Sequence, residues 1–139
     1  FGVHLPTANG SRQVPFAGLS LPEQWPQVPI VYGCVEPESL MLTACLNAGV
    51  AGLVFTGTGA GQLSVTERSA LQAWQGERPL MLQANRCGSG PVHNNSHDQQ
   101  LGLLPAGSLN PQKARVLLLL ALLAGWNSDQ LIALITASL

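Results

Sequence analysis

A glycine-rich segment is the first place in this sequence where chemistry could occur. In "LVFTGTGAGQLS", residues 53–64, an apolar strand-like run leads into Gly57, Gly59 and Gly61 and then into the start of a helix. In open α/β sheets, such a turn lies at the carboxyl end of a strand, where N–H groups of the next helix can face a ligand. The segment therefore predicts a ligand-facing turn, with a tight turn that binds nothing as the alternative.

The spacing of the turn argues against the common nucleotide-binding loops. Gln62 stands where the fingerprint G-x-G-x-x-G requires its third glycine, and the next strand ends in Asn85 and Arg86 rather than in a carboxylate that could hold a ribose. The G-K-[ST] ending of a Walker loop is also missing. Thr56 and Thr58 lack a nearby base that could activate a hydroxyl nucleophile, so we expect them to be structural.

A polar segment, "RCGSGPVHNNSHDQQ" at residues 86–100, contains further candidates. Ser89 lacks the full G-x-S-x-G pattern of a nucleophile elbow. His93 and His97 have the H-x-x-x-H spacing of a zinc-binding helix, and Asp98 follows them, but no apolar periodicity supports a helix here. We therefore predict a solvated loop and no metal site.

The three cysteines do not form a recognisable site. Cys34, Cys45 and Cys87 are odd in number and contain no C-x-x-C pair, so neither a disulfide framework nor a zinc site is predicted. We expect them to behave as small, buried apolar residues. No metal or cofactor is predicted for the chain.

An alternation of strands and helices must position these residues. Strands are predicted over 28–33, 51–57 and 78–85, with a fourth within 101–107. The helices between them begin or end at caps. Ser64 and Glu67 have capping-box spacing, Gly49 and Gly76 are stops, and Asn110 and Ser128 are N-caps. This pattern predicts a doubly wound, Rossmann-like three-layer α/β domain, with a parallel sheet of about four strands flanked by helices.

Composition restricts the partners. The 139 residues correspond to one domain, and the net charge of -1 gives no reason to expect nucleic acid or an anionic membrane. Only 9% of residues are charged, against about 25% in ordinary globular proteins. A surface so short of charge is expected to be covered by another domain or subunit, with a low-charge monomer as the alternative.

The longest apolar run, residues 116–126, is shorter than the roughly 20 residues of a bilayer span and predicts a core helix.

The chain is predicted to divide into two parts. Residues 1–27 are rich in Pro, Gly, Ser and Gln and predict an interdomain connector with a hairpin remnant. Residues 28–139 contain the strands and helices of the α/β domain. Because the sequence begins with Phe1 and shows no signal peptide, we expect it to be excised from something longer.

Three segments in order resemble one enzyme family: "NAGVAGLVFTGTGAGQLS", "RCGSGPV" and "GSLNPQKARVLLLLAL". They are similar to the C-terminal domain of bacterial L-asparaginases, most of all the type II enzymes and the glutaminase-asparaginases. The resemblance covers essentially the whole chain, and the connector resembles the family's interdomain hairpin and linker.

The resemblance implies an amidohydrolase that converts L-asparagine, and often glutamine, to the acid and ammonia without a cofactor. In that family the catalytic threonines lie on the N-terminal domain, so no catalytic residue is expected in these 139 residues. The implied partners are that N-terminal domain, further copies of the chain in a dimer or tetramer, and an amino-acid substrate. A type II enzyme would be periplasmic, and other types cytoplasmic.

The resemblance also implies substrate-binding residues. In the family, a residue of the glycine turn, commonly asparagine, reaches toward the substrate of a neighbouring subunit. Gln62 takes that place here and keeps an amide on a longer side chain. Gly59 and Gly61 of the same turn are also predicted to bind the substrate. An acidic residue before "LNPQKAR" makes a second contribution in the family. Asn95 aligns with it, so a charge is missing, and Asp98 is the nearby carboxylate that could replace it.

Two other functions are compatible with the residues alone. A non-catalytic α/β module could use the glycine turn to bind a small amino acid or an anion. The asparaginase-like subunit of a tRNA-dependent amidotransferase would need an RNA-binding surface, against which the near-neutral charge argues.

Overall fold

The computed structural model describes residues 15–33, 39–59, 61–86, 92 and 96–138. Within these ranges four parallel strands form one sheet in the order β1-β2-β3-β4. The strands are β1 (Ile30–Tyr32), β2 (Gly52–Gly57), β3 (Leu80–Asn85) and β4 (Leu103–Pro105). Each lies inside a segment predicted as a strand, and the parallel α/β sheet is confirmed.

β2 and β3 are the two central strands of the sheet. β2 and β3 pair along their whole length, from Gly52 opposite Leu80 to Gly57 opposite Asn85. Every residue of β2 is buried, as expected for a parallel strand covered on both faces. The carboxyl ends of β2 and β3 therefore lie side by side.

Five helices pack on the sheet in the part of the chain that the structure describes. They are α1 (Leu40–Ala48), α2 (Val65–Ala73), α3 (Ser96–Gln100), α4 (Pro111–Leu123) and α5 (Ser128–Ser138). α4 contains the apolar run from Val116, and its buried side chains contact the sheet, so the predicted core helix is confirmed. Among the residues described, no helix is long and apolar enough to cross a membrane.

The helices form two layers, one on each face of the sheet. Leu42 of α1 and Leu71 of α2 pack with Phe55 and Met81 in one core. α4 and α5 pack in a second core with Val54, on the opposite face of β2. The predicted three-layer architecture is confirmed.

The expected double winding is not found in the described strands. The strands follow one another in sequence order, and the crossover helices α1 and α2 share one face. The order therefore never reverses, and the crevice that a reversal creates in doubly wound sheets is missing from this part of the fold. A ligand site at this sheet has to depend on the turns themselves.

A short helix occupies part of the segment predicted as a solvated loop. Residues 96–100 form α3, and its central residue Asp98 is buried, with 1% of its surface exposed. The prediction was wrong here because the segment is too polar for apolar periodicity. Contacts of Asp98 with side chains distant in the sequence hold it in place.

The helix ends follow the predicted caps in most cases. The capping box of Ser64 and Glu67 is present, Asn110 accepts a hydrogen bond from the Lys113 N–H at 2.8 Å, and Gly49 ends α1 in the left-handed conformation.

Two helix ends differ from prediction. Asn127, not Ser128, caps α5, because Asn127 and Gln130 exchange side-chain hydrogen bonds with each other's backbone N–H at 2.9 Å. α2 ends at Ala73, before the predicted stop at Gly76. The indole of Trp74 lies so close to Gly76 that a Cβ there would approach it to 2.8 Å.

Candidate functional site

The carboxyl edge of the sheet brings together the segments that the sequence singled out. The glycine turn, residues 57–62, begins where β2 ends, and the structure describes it except for residue 60. Beside it, β3 ends at Asn85. The turn folds back on itself as a small antiparallel bridge between Thr58 and Gln62.

Close packing makes two of the three glycines necessary. A Cβ atom at Gly57 would overlap the backbone of Gly61 and the carbonyl oxygen of Gln62. Gly61 has φ +87°, and a Cβ there would lie 3.0 Å from the carbonyl oxygen of Ala84 in β3. Gly59 has a positive φ of +57° but open space around it. The turn is therefore held against the end of β3 in one conformation.

Two backbone N–H groups of the turn are already used. Those of Gly61 and Gln62 both donate to the carbonyl oxygen of Thr58, at 3.1 and 3.2 Å. A phosphate-binding loop needs such groups directed at its ligand. These two donors therefore close the turn and are not available to an anion.

The N-terminus of α2 carries its own negative charge. Glu67 accepts a hydrogen bond from the Ser64 N–H at 2.9 Å, and the Ser64 hydroxyl accepts one from the Glu67 N–H at 3.1 Å. Glu67 is 4% exposed, and its carboxylate balances the positive end of the helix. This helix end is poorly suited to an anionic ligand, which argues against the anion-binding alternative.

The turn presents Gln62 to solvent. Gln62 and Gly59 are exposed, whereas Gly61 is buried beneath them. The Gln62 amide can both donate and accept hydrogen bonds. A fixed backbone with one exposed amide is an arrangement that suits recognition of a polar small molecule.

Both threonines of this segment make hydrogen bonds within the domain. Thr56 is fully buried, and its hydroxyl donates to the carbonyl oxygen of Val31 at 3.3 Å. Thr58 is exposed, and its carbonyl oxygen closes the turn. The Thr56 hydroxyl is thus sequestered from any substrate, and Thr58 serves the turn through its backbone.

A buried polar network lies directly beneath the turn. Gln83 of β3 is 1% exposed, and its Nε2 donates to the carbonyl oxygen of Gly61 at 2.6 Å and to Asp98 Oδ2 at 3.3 Å. The other Asp98 oxygen forms an ion pair with Arg68 of α2 at 3.2 Å. Arg68, Gln83 and Asp98, here called the Gln83 network, join α2, β3, α3 and the turn.

Arginine side chains also connect strands and helices by donating hydrogen bonds to backbone carbonyl oxygens. Arg78 donates to the carbonyl oxygens of Leu71 and Leu101, both at 2.7 Å. Arg115 donates to that of Val28, also at 2.7 Å. Arg78 and Arg115 thus tie side chains to backbone groups of distant segments within the domain.

Comparison with known proteins agrees with this geometry. Residues 27–135 match the family described as the glutaminase/asparaginase C-terminal domain. The chain belongs to this family. Its β-sheet edge and glycine turn are therefore those of an asparaginase C-terminal domain.

Individual relatives support the assignment. L-asparaginase 2 of Bacillus subtilis is 38% identical over 100 residues, which cover 72% of this chain and 27% of the relative. L-asparaginase 2 of Escherichia coli is 35% identical over 121 residues, which cover 84% and 34%. A solved structure, a probable cytoplasmic L-asparaginase from Campylobacter jejuni, superimposes with a TM-score of 0.71 at 28% identity and covers 82% of this chain and 35% of that one.

These asparaginases are much longer than the matched segment. The chain spans about a third of the length of the relatives it matches, from 27% to 34% in the two named above. A further relative, from Haemophilus influenzae, is named as a probable periplasmic L-asparaginase, whereas the Campylobacter structure is named as cytoplasmic.

The remaining candidates of this asparaginase domain lie partly outside the described residues. Asn95, His93, Ser89, Cys34 and Cys87 all fall there. The assignment of Asn95 to substrate binding stays a prediction. The predicted connector, residues 1–27, is described only from residue 15, and its boundary at residue 28 also stays a prediction.

Among described residues, His97 and Cys45 are not part of a reactive cluster. His97 is exposed on α3, with its Nε2 3.1 Å from Gln72 Nε2. Cys45 is partly buried, and burial raises the pKa of its thiol, which disfavours the reactive thiolate. Within the described ranges, no group of His, Cys, Asp and Glu is arranged to hold a metal ion.

Sequence reasoning missed Gln83, although a signal was present. In "LMLQAN" of β3, a long polar residue interrupts a strand that is otherwise apolar up to its final Asn85. A polar side chain inside a doubly covered strand needs a hydrogen-bond partner, and that requirement alone could have marked it.

Proposed function

We propose that this chain is the C-terminal domain of an L-asparaginase, which hydrolyses the side-chain amide of L-asparagine to aspartate and ammonia. The observation that carries the proposal is the family match over residues 27–135. The domain supplies no catalytic residue. Its partner is an asparaginase N-terminal domain, on which the family's catalytic threonines lie.

The geometry of the turn supports an accessory role. Amide hydrolysis requires an activated nucleophile, and the Thr56 hydroxyl is committed to Val31 instead. Gln62 extends from a turn that close packing holds in one shape. We infer that Gln62 contacts the amino-acid substrate in the active site of a neighbouring subunit, with Gly59 and Gly61 shaping the turn that presents it.

Exposed apolar side chains support association at the same edge. Tyr32 at the end of β1, Leu40 at the start of α1 and Val65 at the start of α2 are 51%, 66% and 79% exposed. All three lie at the carboxyl edge, because helices in such a sheet begin where the preceding strands end. Burying them against a second polypeptide would be favourable, which agrees with a dimer or tetramer.

The proposal is tested by measuring ammonia release from asparagine and glutamine. The 139-residue chain should release none by itself, whereas the chain joined to an asparaginase N-terminal domain should restore turnover. Turnover by the chain alone would contradict the accessory role. Tight binding of an amino acid by the chain alone, without turnover in the joined protein, would instead favour a small-molecule binding module.

A further inference from the structure

Gln83 occupies a place in the sheet where an apolar side chain would ordinarily pack. Alternate residues of β3 face opposite layers, and Leu82 and Ala84 on either side of Gln83 belong to the core under α4. Met81 and Gln83 face the other layer, where Met81 packs in the apolar core. A buried amide costs free energy unless its hydrogen bonds are made. An apolar residue of the same size could fill this place without that requirement.

The partners of the Gln83 amide indicate what the buried polar group does. Its 2.6 Å hydrogen bond to the Gly61 carbonyl oxygen holds the glycine turn from below, one residue before Gln62. Its second bond, at 3.3 Å, reaches Asp98, three residues after Asn95. Arg68 fixes Asp98 from the side of α2 at 3.2 Å. One amide thus connects both segments for which substrate contacts are predicted.

We propose that Gln83 is a positioning residue for the substrate site and that Asp98 acts with it, not as a direct substrate ligand. The hydrogen bond from Gln83 fixes the position of the Gly61 carbonyl group relative to β3. Because Gln62 is the next residue in the chain, its position is fixed as well. The burial of Asp98, with 1% of its surface exposed, suits this indirect role. The inference rests on the proposed function, because it concerns the placement of Gln62 toward the amino-acid substrate.

The test uses the chain joined to an asparaginase N-terminal domain and compares the single variant Gln83→Met with the double variant that also carries Gln62→Ala. Methionine keeps the length of the side chain and removes its hydrogen-bond donor. KM for asparagine should rise about tenfold with kcat nearly unchanged, since placement of a binding group is lost. In the Gln62→Ala background the same change should have little further effect on KM, because Gln83 acts through Gln62.

A matched control separates positioning from general loosening of the domain. Arg78→Met also removes a partly buried side-chain clamp, but the carbonyl oxygens that Arg78 holds belong to Leu71 of α2 and to Leu101, outside the turn. It should lower stability while leaving KM within about twofold of the parent value. Asp98→Asn should raise KM less than Gln83→Met, because an amide oxygen can still accept from Gln83.

Amide hydrogen exchange gives a second measurement that does not depend on turnover. In the 139-residue chain, Gln83→Met should speed exchange at the N–H groups of Gly61 and Gln62 by about tenfold, and Arg78→Met should not. If exchange at the turn is unchanged, the positioning role is overturned, whatever the enzyme does. If exchange changes but the joined parent protein has no asparaginase activity, the proposed function fails instead. Additive effects of Gln83→Met and Gln62→Ala on KM would also overturn the inference.

Discussion

The guanidinium of Arg86 reaches from the end of β3, past β2, to the end of β1, where its Nη1 lies 3.0 Å from the carbonyl oxygen of Gly33. The Arg86 backbone N–H also donates to the carbonyl oxygen of Gly57 at 3.3 Å. The ends of three strands are thus joined across the base of the glycine turn. A charged donor on a carbonyl is among the stronger hydrogen bonds of a protein.

Replacing Arg86 should weaken this edge. For Arg86→Met we expect the free energy of unfolding to fall by about 1 kcal/mol, because the Gly33 carbonyl loses a charged donor. Urea denaturation of the 139-residue chain measures this. Arg86→Lys should fall between the parent and Arg86→Met, since an ammonium can donate but lacks the planar fork. Equal stability of the parent and Arg86→Met would contradict the role given to the bond.

The glycine turn should tolerate change at Gly59 far better than at Gly57. Gly57→Ala forces a Cβ into the backbone of Gly61, and we expect it to cost about 3 kcal/mol. At Gly59 an added Cβ has free space, so Gly59→Ala should lower the free energy of unfolding by only about 1 kcal/mol, the cost of its φ of +57°. Urea denaturation of both variants checks the difference. A cost at Gly59 as large as that at Gly57 would show that close packing does not determine the turn.

Gln62 should affect substrate binding rather than stability. In the chain joined to an asparaginase N-terminal domain, Gln62→Ala should raise KM for asparagine about tenfold, with little change in kcat. Gln62→Asn shortens the reach of the amide and should change the ratio of asparagine to glutamine hydrolysis.

The matched control for Gln62 is Gln75→Ala. Gln75 is exposed just beyond the end of α2, at the opposite edge of the sheet. Its removal should leave the kinetic constants unchanged. If Gln62→Ala behaved like Gln75→Ala, Gln62 would have to be removed from the proposed site.

The cap of α5 gives a stability test of the corrected helix start. Asn127→Ala removes both the side-chain acceptor and the reciprocal arrangement with Gln130. We expect a loss of about 1 kcal/mol. Ser128→Ala should change stability by less than about 0.5 kcal/mol. Thermal or urea unfolding distinguishes the two, and a larger effect at Ser128 would support the cap predicted from the sequence.

Local patterns were sufficient for most elements of the fold. β2 and β3 are short and mostly apolar, and α2 begins at a capping box formed by residues three apart. Such signals depend on neighbours in the chain and can be recognised without tertiary contacts. α3 gave no such signal. Its residue Asp98 is held by Arg68, which lies 30 residues away in the sequence.

Some features of the candidate site could likewise be recognised from the sequence, and others only from the structure. Gly57, Gly59, Gly61 and Gln62 form one continuous segment, so their types and spacing could be recognised directly. The hydrogen-bond partners of the turn's N–H groups could not be recognised from the sequence, because the same glycine spacing fits either a ligand loop or a closed turn. The structure shows that the Gly61 and Gln62 donors are directed to Thr58.

The sequence by itself determined the parallel α/β class, the order of strands and helices, and the turn that presents Gln62, because each depends on residues close together in the chain. The tertiary structure decided that the crossover helices α1 and α2 share one face, and that Gln83 joins Gly61 to Asp98. The physical reason is that hydrogen bonds between groups 15 and 22 residues apart exist only once the chain has folded. Their donors and acceptors leave no periodic pattern in the sequence.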